Sequence, residues 1–141
     1  MTGTKVEQTG STDPAGAPSR PVIVVGYSSK PEGRAALKRA LAEAELRGGE
    51  VVVVHTSPDV EVGDLRAQLD SSGVPHEVLE AVDAMDPAEE LISTADSRSA
   101  EFIVIGLRRR SPVGKLLLGS NAQRVLLDAS CPVLAVKAES A

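Results

Sequence analysis

The residues best suited to chemistry gather between positions 106 and 121. Gly106-Leu107 opens into Arg108-Arg109-Arg110, Lys115 follows, and Gly119-Ser120-Asn121 precedes a helical pattern of Ala122, Val125, Leu126 and Ala129. Guanidinium groups grip phosphate oxygens with paired N–H donors, and a lysine adds a point charge. A helix start contributes amides without intrahelical acceptors and a dipole worth about 0.3–1 kcal/mol to a nearby anion. Recognition of a phosphate group is the chemistry this set can do. The same residues also read as a solvated basic turn, and Ser120 also reads as a helix cap, since Ser120-Asn121-Ala122-Gln123 matches a capping box.

Catalysis finds no comparable set. There is no Gly-x4-Gly-Lys-Ser/Thr loop, no Gly-x-Gly-x-x-Gly after the first strand pattern and no Gly-x-Ser-x-Gly elbow. Enzyme activity is therefore not expected beyond weak ATP hydrolysis, for which Asp83 and Asp86 are the nearest carboxylates by topology. His55 and His76 lack ligand neighbours at metal spacing, so no metal site is expected, and Cys131 stands alone, without a disulfide partner. The net charge of -5 opposes general nucleic-acid binding, and Tyr27 and Phe102, the only aromatics, cannot build a base-stacking platform. Lacking a leader pattern or a spanning apolar segment, the chain is expected in the cytoplasm and away from membranes.

The elements that must position the cationic segment alternate in type. Residues 1–20, rich in Gly, Ser, Thr and Pro, predict a disordered tail, and residues 21–138 one α/β domain, for which 42% hydrophobic residues supply a core. Val22-Ile23-Val24-Val25 and Val51-Val52-Val53-Val54 predict buried strands, and Phe102-Ile103-Val104-Ile105 a third such run. A helix is predicted from about Pro31 to Arg47 and a weaker one over about 60–69, interrupted by Gly63. Asp86-Pro87-Ala88-Glu89 is a helix start with Asp as cap and Glu closing a capping box. The alternating strand 76–82 and the proline-opened strand 132–136 read as sheet edges. Together these predict a doubly wound five-stranded parallel sheet of order 3-2-1-4-5 with helices on both faces. In that order the turns after Tyr27 and Gly106 face one crevice at the topological switch point, the place where such sheets hold ligands.

Four landmarks resemble the universal stress protein family: Val22-Ile23-Val24-Val25-Gly26 followed by the Pro31-Glu32-Gly33-Arg34-Ala35-Ala36-Leu37 helix, the valine strand ending in His55, the Gly106 to Gly119-Ser120 loop, and Cys131-Pro132-Val133-Leu134-Ala135-Val136-Lys137. The resemblance covers residues 21 to 137 and implies a stress-response regulator that binds ATP or AMP. It implies a homodimer through pairing of the last strands, Val133 to Val136, and an unnamed protein partner. The ligand contacts it implies here are Tyr27, Ser28, Thr56, Ile105, Gly106, Arg108, Arg109, Gly119, Ser120 and Asn121. Two positions depart from the family's Gly-x-x-Gly-x9-Gly-Ser/Thr pattern and its aspartate after the first strand: Arg109 replaces the second glycine and Ser28 the aspartate. A hydrogen bond to a charged group contributes about 1.5–3 kcal/mol, so the expected site is degenerate, with about ten- to a hundredfold weaker binding. The alternative is a dimeric protein-interaction module that binds no nucleotide.

Overall fold

Two β-branched runs fix the centre of the sheet. Val22–Tyr27 forms β1 and Glu50–His55 forms β2, parallel, with Val24 opposite Val52. The computed structural model describes residues 20–55, 62–80, 86–109, 116–117 and 119–138, so nearly all of the expected N-terminal tail lies outside the described residues. Within them β1 is followed by α1 (Pro31–Arg47), β2 by α2 (Val62–Ser72), then β3 (His76–Glu80), α3 (Pro87–Ser97), β4 (Phe102–Arg109), β5 (Leu116–Leu117), α4 (Ser120–Asp128) and β6 (Val133–Lys137). None of the described helices is long and apolar enough to cross a membrane.

Strands without an apolar–polar alternation must be covered on both sides. Ile23, Val25, Val51 and Val53 pack under Leu37 and Ala40 of α1 and Leu65 and Leu69 of α2. Val24, Val52, Ile103 and Ile105 pack under Leu91 of α3 and Val125 of α4. Each fully buried aliphatic side chain contributes about 1.5–3 kcal/mol, so these layers hold the helices at fixed places over the strands. Glycines end α1 where expected, and the Gly49 N–H donates to the Ala44 carbonyl at 2.8 Å.

The long strands are all parallel and adopt the expected order, with β6 as the fifth: β3, β2, β1, β4, β6. The alternating strand β3 and the last strand β6 lie at the two sides of this parallel set. Three details differ from the sequence reading. Helix α2 is described from Val62 to Ser72, past the expected end and without a break at Gly63. Strand β4 does not stop at Ile105, because β6 continues the ladder, pairing Gly106 with Val136 and Leu107 with Lys137. Its end then pairs antiparallel with the two-residue β5, Arg108 opposite Leu117 and Arg109 opposite Leu116, so these arginines are held extended and not in a turn.

Candidate functional site

From the carboxyl end of β1 the chain leaves to α1 on one face, and from that of β4 it reaches α4 on the other. The gap between them is a cavity of about 390 Å³. Gly26 and Ile105 from the two strands line it, and Leu91 and Val125 wall it from α3 and α4.

Two glycines let the first turn of α1 press into this space. A Cβ on Gly106 would collide with the main-chain carbonyl of Glu32, and one on Gly33 would collide with the backbone and hydroxyl of Ser28. The sequence Ser28 to Gly33 thus folds tightly over the end of β4. The Ser28 hydroxyl accepts a 3.4 Å hydrogen bond from the Lys30 N–H within this turn.

Three helix starts border the cavity: Lys30, Glu32 and Gly33 from α1, Pro87 from α3, and Gly119, Ser120 and Asn121 from α4. None of the three has a side-chain cap hydrogen bond. The cap residue of α4 is Gly119, and Ser120 is its first helical residue, which corrects the capping-box reading of Ser120. Asp86 is the cap residue of α3 by backbone geometry, but its carboxylate accepts a hydrogen bond from Arg124 at 2.9 Å instead of capping an amide. Arg124 also donates to Glu89 at 2.8 Å and lies 3.7 Å from Asp128, bracing α3 against α4 beside the cavity. The Glu89 hydrogen bond, aided by the Asp86 and Asp128 charges, raises the pKa of this guanidinium. First-turn amides without caps favour an anion, most of all at the start of α4, the one of the three whose first turn carries no acidic residue.

The charged lining adds contrast. Lys30 and Arg108 bring positive charge, while Glu32 lies with its Oε2 3.4 Å from Arg108 Nε. Among the described residues no group of three or more His, Cys, Asp or Glu side chains could hold a metal ion. Burial and the Asp96 charge push the Cys131 thiol up, away from the reactive thiolate form.

Of the residues expected at the site, Ser28, Ile105, Gly106, Arg108, Gly119, Ser120 and Asn121 line one cavity. Tyr27 does not join them: its side chain is buried among the α1-side core residues. Strand alternation explains it, since Gly26 beside it faces Leu91 on the other side of the sheet. Thr56, Asp83 and the side chain of Arg109 lie outside the described residues, as do Arg110 and Lys115. The sequence reading missed Lys30, Glu32, Gly33 and Pro87, all lining residues. The available signal was Pro31 followed by Gly33, a helix start carrying a residue that favours close approach over helix propensity.

Comparison with known proteins agrees with the fold. The model of the universal stress protein family matches residues 20–85 and 64–137. A universal stress protein of Mycolicibacterium smegmatis is 48% identical over 127 residues, covering 82% of this chain and 97% of its own. The solved structure of a universal stress protein from Archaeoglobus fulgidus superposes with a TM-score of 0.64 at 33% identity, covering 84% of this chain and 98% of that one. A structure of the universal stress protein from Archaeoglobus fulgidus in complex with dAMP superposes with a TM-score of 0.58 at 28% identity, with the same coverage of 84% and 98%.

Proposed function

This chain belongs to the universal stress protein family, and on that premise we propose that it binds an adenine nucleotide, ATP or AMP, in the cavity above β1 and β4, and acts as a stress-response regulator and not as a catalyst. The observation that carries this reading is the convergence of three uncapped helix starts, with Ser28, Ser120 and Arg108, on one cavity. The complex of a relative with dAMP supports adenine nucleotide as the ligand class. Ser28 in place of the family's aspartate makes the site weak. A ligand spanning α1, β4 and α4 ties the two faces of the sheet together, and its differential affinity for two arrangements of the rim is what a partner would read. We place the protein in the cytoplasm as a homodimer joined along β6, whose pairing with β4 covers one of its edges.

Calorimetric titration with ATP, AMP and cyclic AMP tests this reading. Ser28→Asp is expected to tighten binding about ten- to a hundredfold, the worth of a charge-assisted hydrogen bond. Binding of none of the three by the wild type or by the variant would refute it. The second reading, a docking module without nucleotide, draws on Leu126 and Leu127 of α4, which are 39% and 81% exposed. Combining Ser28→Asp with Arg109→Gly separates the two: nucleotide affinity that rises from zero in the double variant favours the docking module, and affinity already measurable in the wild type favours the nucleotide regulator.

A further inference from the structure

Glu32 is the only acidic side chain among the described residues lining the cavity. It is an anion built into a site that otherwise attracts anions. Its side chain is only 16% exposed, and its main-chain carbonyl occupies the space a Cβ on Gly106 would need, so the residue cannot swing away as a unit. Glu32 stands in the first turn of α1 with its carboxylate beside the Arg108 guanidinium.

Resting on the nucleotide reading above, we infer that Glu32 sets the charge of the ligand, so that the pocket takes a nucleotide carrying a single phosphate in preference to a triphosphate. The first phosphate gains from Ser120, Asn121 and the helix starts. Every further phosphate adds negative charge inside the field of a fixed, poorly solvated carboxylate. At an effective dielectric near 20, one extra unit charge about 10 Å from Glu32 costs roughly tenfold in affinity. Glu32 also draws on Arg108, the cation a second phosphate would want. The 3.4 Å Nε to Oε2 separation is a charge contact longer than an ordinary N–H···O hydrogen bond, so removing the carboxylate frees Arg108 without dismantling a tight anchor.

The test is calorimetric titration of AMP and ATP, in the presence of a chelator, into wild type, Glu32→Gln and Glu32→Asp. Wild type is expected to bind AMP more tightly than ATP. Glu32→Gln should tighten both nucleotides, ATP by about tenfold or more beyond AMP, narrowing the preference, while Glu32→Asp, which keeps the charge, should retain it. A wild type that favours ATP, or a Glu32→Gln variant in which both ligands shift by the same factor, overturns the role of Glu32 and leaves the nucleotide site standing. Failure of both nucleotides to bind any of the three proteins overturns the site itself.

Discussion

Gly106 shows how one residue joins fold to site. It pairs with Val136 in the ladder, lines the cavity and receives the backbone of Glu32 where a side chain would stand. Gly106→Ala forces a methyl group against a carbonyl that neither strand nor helix can yield, and overpacking of this kind costs about 1–3 kcal/mol. The denaturant midpoint should fall accordingly and nucleotide binding should weaken with it; an unchanged midpoint would contradict the close approach. At this scale the sequence was informative where loop chemistry was visible and silent where it was not. Gly106, Arg108 and Gly119 to Asn121 stand out as glycines and cations between apolar runs, and they do converge. Lys30 and Glu32 look like ordinary solvent-facing residues of a helix start, because only the tertiary approach of α1 to β4 turns them toward the cavity. The Tyr27 side chain lies away from the cavity for a simpler reason: neighbouring strand residues point to opposite faces, and Gly26 holds the cavity side.

At the scale of elements, exposed ion pairs set the spacing of α3. Arg124 joins its first turn to α4 through Asp86 and Glu89, and Arg98 just beyond its last turn donates to both oxygens of Glu77 on β3 at 2.7 and 3.0 Å. Exposed pairs stabilise by only about 0.2–1 kcal/mol, so Arg124→Gln should barely move global stability. Its expected effect is local: faster amide exchange in the first turns of α3 and α4 and a several-fold weaker nucleotide affinity, since both turns border the cavity. Unchanged exchange in both turns would show that the apolar layer alone holds them. The Glu77 pair has a pH signature. The Arg98 hydrogen bond, reinforced by its charge, lowers the Glu77 pKa against a smaller opposing effect of burial. A carboxylate lowered in the folded state stabilises above its unfolded pKa, and that contribution disappears as pH falls through the folded value. Acid titration of stability should therefore lose part of its slope below the ordinary glutamate range in Glu77→Gln, while the two proteins differ at neutral pH by about 0.2–1 kcal/mol. The elements themselves were largely readable, because uninterrupted valine runs and a proline-opened, glycine-closed α1 carry their own boundaries. The extension of β4 and the short β5 were not. Arginines give no strand signal, and what holds Arg108 and Arg109 extended is pairing with β5, beyond the apolar core of the strand.

The whole molecule is one layered sheet, and its two sides are closed differently. On β3, Glu77 is engaged by Arg98 and the polar alternation discourages further pairing. On β6, Val133, Leu134, Ala135 and Val136 are all only partly buried, and β4 pairs with one side of the strand. An apolar edge strand with open backbone groups invites another strand, and a two-fold axis supplies an identical one at no cost in sequence. Antiparallel pairing of two β6 strands predicts a dimer whose amide exchange differs from that of a monomer in a specific way. In a monomer only the alternate β6 amides that point at β4 are protected, whereas in the dimer the outward-pointing set is protected as well. Hydrogen exchange across Val133–Lys137, followed as protein is diluted from tens of micromolar to nanomolar, should show that outward set losing protection together as the sedimentation coefficient falls. Alternating protection at every concentration, with monomeric sedimentation throughout, would leave β6 an open edge and remove the dimer.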